Sequence, residues 1–185
     1  MSHTSPILPA APDASACAHQ SAFEILSTCH EHIGERLAVL ETVGRELGSG
    51  VEFGESQLAR LGDVLAFLDT AIPIHSADEE QSLFPRLRTR PPFAGVEGTP
   101  MDCMEAEHQE HTALRARLKA AVVKRDVPAV SRAALAIASE YRSHIAKEED
   151  ILYPMAREVL TDPAEIEAMT GEMRTRRKEA GLLGC

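Results

Sequence analysis

Two stretches of this chain share one pattern: HSADEEQSLFP from His75 to Pro85, and HIAKEEDILYP from His144 to Pro154. Both fit His-x-Ala-x-Glu-Glu-x-x-Leu-aromatic-Pro. On a helix, residues at i and i+4 lie about 40° apart on one face, with a rise of about 6 Å. Each copy therefore offers an imidazole and a carboxylate to the same point: His75 with Glu79, and His144 with Glu148. Two such copies facing each other in a helical bundle make a site for a pair of metal ions. His30 and His108 interrupt two further apolar stripes and complete a candidate set of His30, His75, Glu79, His108, His144 and Glu148. Four neutral imidazoles and two carboxylates form a mixed nitrogen and oxygen set, which suits iron, manganese or zinc better than calcium or magnesium. Two carboxylates can bridge two ions, leaving open coordination positions for a solvent bridge and a diatomic ligand.

The elements that must present these residues are four amphipathic segments with apolar residues spaced three and four apart. The first carries Phe23, Leu26, His30, Ile33, Leu37 and Leu40; the second Leu58, Leu61, Leu65, Leu68, Ile72, His75, Glu79 and Leu83. The third carries Met101, Met104, His108, His111, Arg115, Leu118 and Val122; the fourth Ala134, Ile137, Tyr141, His144, Glu148, Ile151 and Met155. A His or Glu on a core-facing stripe must be hydrogen-bonded, neutralised or bound to a cation, because burying it alone is costly. The fold expected is all-α: an up-down-up-down four-helix bundle with a flexible N-terminal arm and a short C-terminal helix. The arm is residues 1–18, the bundle residues 19–160, and the C-terminal helix and tail residues 161–185. Gly48-Ser49-Gly50 ends the first helix, and RPPFAGVEGTP (residues 90–100) links the two halves. Asp126 caps the fourth helix and Asp162 a fifth, each with proline in the first turn. Pro73 is expected to kink the second helix, and the basic tail RTRRKEAGLLGC to fray.

Nineteen basic residues against 29 acidic ones give a net charge of −10, which speaks against a general nucleic-acid binder. No apolar run reaches transmembrane length, and no signal peptide is apparent. Cys17, Cys29, Cys103 and Cys185 include no CxxC pair and make no disulfide framework. Read as reduced thiols they place the chain in the cytoplasm, with Cys29 and Cys103 as buried structural residues. No nucleophile-base pairing or phosphate loop appears.

The motifs resemble the hemerythrin-like cation-binding family, the HHE domains. The resemblance covers roughly residues 20–158, through CHEHIGERLAVL around His30, MEAEH ending at His108, and the doubled motif. It implies a bundle around a non-haem di-iron centre: two iron ions (Fe2+/Fe3+) with an oxo or hydroxo bridge. His30, His75, His108 and His144 would be terminal imidazoles, with Glu79 and Glu148 as bridging carboxylates. The pattern is nearest to bacterial nitric-oxide-response and iron-cluster repair proteins, without their N-terminal domain. Binding or sensing of O2 or NO, linked to stress response or iron handling, is the function expected. The alternative is a di-iron enzyme or repair protein that turns over peroxide or NO, or donates iron to damaged clusters. The partners expected are O2 or NO, with no nucleic acid, no membrane and a possible homodimer.

Several neighbours are less determined. His30 and His32 lie about 200° apart on a helix, so only one faces the core, and the stripe selects His30. His111 is open between a fifth ligand, a hydrogen-bond donor behind the ligands, and a core-edge histidine. Glu80 and Glu149 are expected to be solvated or capping, and Phe84 and Tyr153 to pack the bundle end. Tyr141 either packs or hydrogen-bonds a metal ligand. Ferritin-type storage uses Glu-x-x-His on two helices, and here that spacing occurs once, from Glu105 to His108. Four histidines and two glutamates exceed what one closed tetrahedral zinc needs.

Overall fold

The computed structural model describes residues 20–182. Helix α1 spans Ala22–Gly48. Helix α2 begins at Glu55–Asp78, passes through a wider turn at Glu79–Leu83 and ends in Phe84–Arg88. Helix α3 spans Pro100–Lys124. Helix α4 begins at Val127–Lys147, passes through the same kind of turn at Glu148–Leu152 and ends in Tyr153–Val159. Helix α5 spans Pro163–Glu179. There is no strand among the described residues. The first four helices form an up-down-up-down bundle in which α1 packs along both α2 and α4, α3 packs along α4, and α2 touches α3 more lightly. The expected arm of residues 1–18, together with His3, His19, Cys17 and Cys185, lies outside the described residues.

Local chemistry sets the boundaries. The Glu24 carboxylate accepts from the Ser21 amide at 2.7 Å and starts α1. Thr99 and Asp102 form a reciprocal capping box ahead of α3, with Pro100 at the first helical position. Asp126 accepts from the Ala129 amide and Asp162 from that of Ala164, as their positions before prolines predict. Arg125 takes a left-handed conformation, φ 52°, and lets α3 turn directly into α4. Helix α2 continues through Pro73, whose ring sits on the exposed face, where water reaches the carbonyl it leaves without a donor.

The two wider turns follow the metal-type motifs. In each, an amide bonds five residues back: Phe84 to the Glu79 carbonyl and Tyr153 to the Glu148 carbonyl. Such π turns concentrate at functional sites. Pro85 and Pro154 stand just beyond and explain them: a proline ring clashes with the carbonyl four residues earlier, and a wider turn makes room for it.

The core lies in two apolar layers separated by a polar one. One layer includes Ile33, Leu40, Leu68, Ile72, Leu118 and Tyr141; the other includes Leu26, Leu83, Phe84, Met104, Leu152 and Tyr153. Every bundle helix passes from one layer to the other through a histidine. Within the described residues the first part of the basic tail, residues 174–179, stays helical where its charge predicts fraying; residues 183–185 lie outside the described residues. Met169 and Met173 close the second layer, and the Thr170 hydroxyl accepts from the Ala22 amide at 2.9 Å. Arg177 donates to the fully buried Asp78 at 2.9 Å, and Arg176 pairs with the same carboxylate. A buried anion on α2 thus holds the basic end of α5.

Candidate metal centre

Within the polar layer the side chains converge. His30 comes from α1, His75 and Glu79 from α2, His108 from α3, and His144 and Glu148 from α4. All six are buried, and both glutamates are fully so. His75 and Glu79 share the last ordinary turn of α2, as His144 and Glu148 do in α4, so the i,i+4 spacing places ring and carboxylate together. The His75 Nε2 lies 3.5 Å from Glu79 Oε2, and the His144 Nε2 lies 3.0 Å from Glu148 Oε1. Each glutamate also meets the histidine of another helix. His30 Nε2 lies 3.1 Å from Glu148 Oε2, and His108 Nε2 lies 3.3 Å from Glu79 Oε2. The rings face each other in pairs, His30 with His75 at 3.0 Å and His108 with His144 at 3.2 Å between Nε2 atoms.

These atoms form two sets, each within 4.8 Å: Glu79, His108, His144 and Glu148, and His30, His75 and Glu148. Glu148 belongs to both. Its two oxygens, and Glu79 Oε2, approach imidazole nitrogens closely yet have no well-formed hydrogen bond. Buried carboxylate oxygens rarely stay so. Lone pairs that meet at a common centre, rather than at each other's hydrogens, suit a shared cation.

The electrostatics agree. Burial disfavours charge on His30, but the Glu148 and Glu149 carboxylates outweigh it and push its pKa up to about 9. Burial opposes charge on His108 too, and Glu79 and Glu80 raise it to about 9. His144 moves upward for the same reason, through Glu148 and Glu107. Burial and the facing His30 hold His75 well below the usual range. Burial and the neighbouring Glu148 raise Glu79 to about 7; burial works the same way on Glu148, yet its imidazole neighbours hold it low. Without a metal, protons on the imidazoles supply the positive charge that the carboxylates require.

Sequence reasoning missed the residues behind the ligands. Glu80 accepts from His108 Nδ1 at 2.7 Å, and Glu149 from His30 Nδ1 at 2.7 Å. Glu107 accepts from His144 Nδ1 at 2.8 Å. Glu80 is exposed and Glu149 half-buried, and both also partner an imidazole; lying 100° from their neighbours, they reach across to the next helix. Their signal was the second Glu of each Glu-Glu pair. Tyr153 does more than pack: its hydroxyl donates to Glu79 Oε1 at 2.7 Å, and its ring stacks on His30. Phe84 stacks on His108 in the matching place. Tyr141 does not bond a ligand; its hydroxyl accepts from Arg115, and its ring stacks on His111. His111 is buried, its ring edge-on to His144, and it belongs to neither four- nor three-residue set. Burial, with the nearby His144, lowers its pKa to about 3. Cys29 is buried as expected, whereas Cys103 is exposed.

A family model for the hemerythrin HHE cation-binding domain matches residues 21–156. The chain belongs to that family. No curated protein and no solved structure matches it. The match begins at the start of α1, takes in both motifs and ends within the last segment of α4. No helix among the described residues is long and apolar enough to cross a membrane.

Proposed function

We propose that this hemerythrin HHE domain holds two non-haem iron ions through His30, His75, Glu79, His108, His144 and Glu148, and binds or senses O2 or NO. The observation that carries the reading is the sharing of Glu148 between two ligand sets. One carboxylate facing two groups of imidazoles is what a pair of adjacent cations requires. Bound iron supplies reversible one-electron chemistry and open positions for a diatomic ligand.

The protein's own residues do the rest. Glu80, Glu107 and Glu149 fix which nitrogen of His108, His144 and His30 faces the centre. Tyr153 holds Glu79 in place. A cavity of about 10 Å³, lined in part by Ile33, Ile72, His111 and Tyr141, adjoins the histidines. That is room for roughly one water-sized molecule, and its isoleucine wall favours a small neutral ligand. A cytoplasmic setting and a link to stress response or iron handling belong to the same proposal.

A second reading, turnover of peroxide or NO, draws on the other cavity wall. There His111 and Tyr141 place polar groups beside the ligands, and Arg115 donates to the tyrosine. The experiment that decides is metal analysis of anaerobically purified protein, followed by optical spectra on adding O2 and then NO. Two irons with a reversible charge-transfer band support binding; consumption of the ligand supports turnover. Glu148→Ala should lose metal, because it removes the group common to both sets. Retention of two irons by that variant would overturn the assignment.

A further inference from the structure

The two halves of the bundle are related residue by residue. His30 corresponds to His108, His75 to His144, Glu79 to Glu148, and Glu80 to Glu149. The contacts repeat with them: the Glu149–His30 and Glu80–His108 bonds are both 2.7 Å, and the facing ring nitrogens lie 3.0 and 3.2 Å apart. Among the carboxylates that brace the imidazoles through Nδ1, the likeness fails at the residue before the first histidine of each half. On α3 this is Glu107, whose carboxylate accepts from His144 Nδ1 at 2.8 Å. On α1 it is Cys29, whose thiol is engaged with the Arg177 guanidinium, and His75 Nδ1 has no hydrogen-bond partner.

The two metal positions therefore differ. One gathers four ligand residues, Glu79, His108, His144 and Glu148, and both of its imidazoles donate to carboxylates. The other gathers His30, His75 and Glu148, and only His30 is braced in this way. A carboxylate behind a histidine makes the ligating nitrogen more basic and fixes its tautomer, and losing one typically weakens metal binding about 10- to 100-fold.

We propose that the two positions load in order, the His108–His144 position first, and that the Glu107/Cys29 difference sets the gap. The proposal rests on the two-metal reading above. It gives the protein a stable one-metal state, with His30 and His75 the position that fills last and empties first.

The test is anaerobic titration of the metal-free protein with Co2+, followed by its visible absorption. The wild type should bind in two steps separated by about tenfold or more. His108→Ala should remove the tight step, and His30→Ala should leave it. Glu107→Cys, which gives α3 the residue that α1 carries, should draw the steps to within about threefold, and Glu107→Gln should lie between. Glu107 is half-buried at the bundle surface, and circular dichroism confirms folding of each variant. Two ions bound with equal affinity would overturn the loading order and leave the two-metal reading standing. Loss of the tight step in His30→Ala, or an unchanged gap in Glu107→Cys, would do the same. Failure of the wild type to bind a second ion under any condition would remove both.

Discussion

Replacing Tyr153 with Phe isolates one hydrogen bond at the centre. Phe84 stacks on His108 as Tyr153 stacks on His30, so a phenylalanine ring fits this kind of niche without rearrangement. The change deletes only the hydroxyl, which donates to Glu79 Oε1 at 2.7 Å with both residues fully buried. A hydrogen bond to a charged group contributes about 1.5–3 kcal/mol, and a buried acceptor left without its donor brings the loss to the upper part of that range. A loss of about 2–3 kcal/mol in a protein of this size corresponds to a fall in Tm of roughly 4–10 °C. The assay is thermal unfolding of the metal-free variant and wild type at pH 8, above the value of about 7 to which burial and Glu148 raise Glu79, so that the acceptor is ionised. The iron-loaded pair should differ less, since a cation then meets the carboxylate. A metal-free variant whose Tm stays within about 1 °C of wild type would refute the role given to the hydroxyl.

The metal-free protein should lose stability from pH 7 to 9. His30 and His108 are raised from 6.5 to about 9, so the stability they contribute is complete below about 6.5 and disappears as pH climbs towards 9. Urea midpoints with chelator at pH 7 and 9 measure this, and metal-loaded protein should lack the decline. Asp78→Asn should cost about 3–5 kcal/mol, because it removes the anion facing buried Arg177; hydrogen exchange should then quicken in α5 before the bundle. Gly44→Ala gains about 1 kcal/mol of helix propensity. Its new methyl, however, would sit 2.9 Å from Leu135 Cγ and 3.2 Å from the Ser131 carbonyl, where α1 meets α4. Overpacking of about 1–3 kcal/mol should therefore prevail, giving a net loss of about 1 kcal/mol by urea unfolding.

The stripes of apolar residues were enough to place the helices, because four-helix packing buries one face of each and the pattern of that face is local. The doubled motif placed the inward glutamates for the same reason: His75 and Glu79 are one ordinary helical turn apart. What lay beyond reach depended on neighbours. Glu80 points sideways from α2, and only the position of α3 decides whether water or His108 meets it. Tyr153 reads as packing until Glu79 of another helix arrives at its hydroxyl. The wider turns had a visible signal in Pro85 and Pro154, yet a proline alone leaves open whether a helix ends, bends or widens. The helical stretch at residues 174–179 escaped the sequence because arginines count as solvated charge until a buried partner is known, and Asp78 lies far away in sequence.

The Glu-Glu pairs reach crosswise, and that has a bearing on how the chain is held together. Glu80 on α2 serves His108 on α3, and Glu149 on α4 serves His30 on α1. Each ligand set likewise draws on both helix pairs. Neither pair owns a complete site, and the segment between α2 and α3, which packs Phe93 into the second layer and caps α3 through Thr99, supplies no ligand. It also sets an effective concentration of one helix pair about the other. On the two-metal reading the centre is a clasp: two half-proteins sharing one lock, in which every cation taken up would also be a bond between the halves.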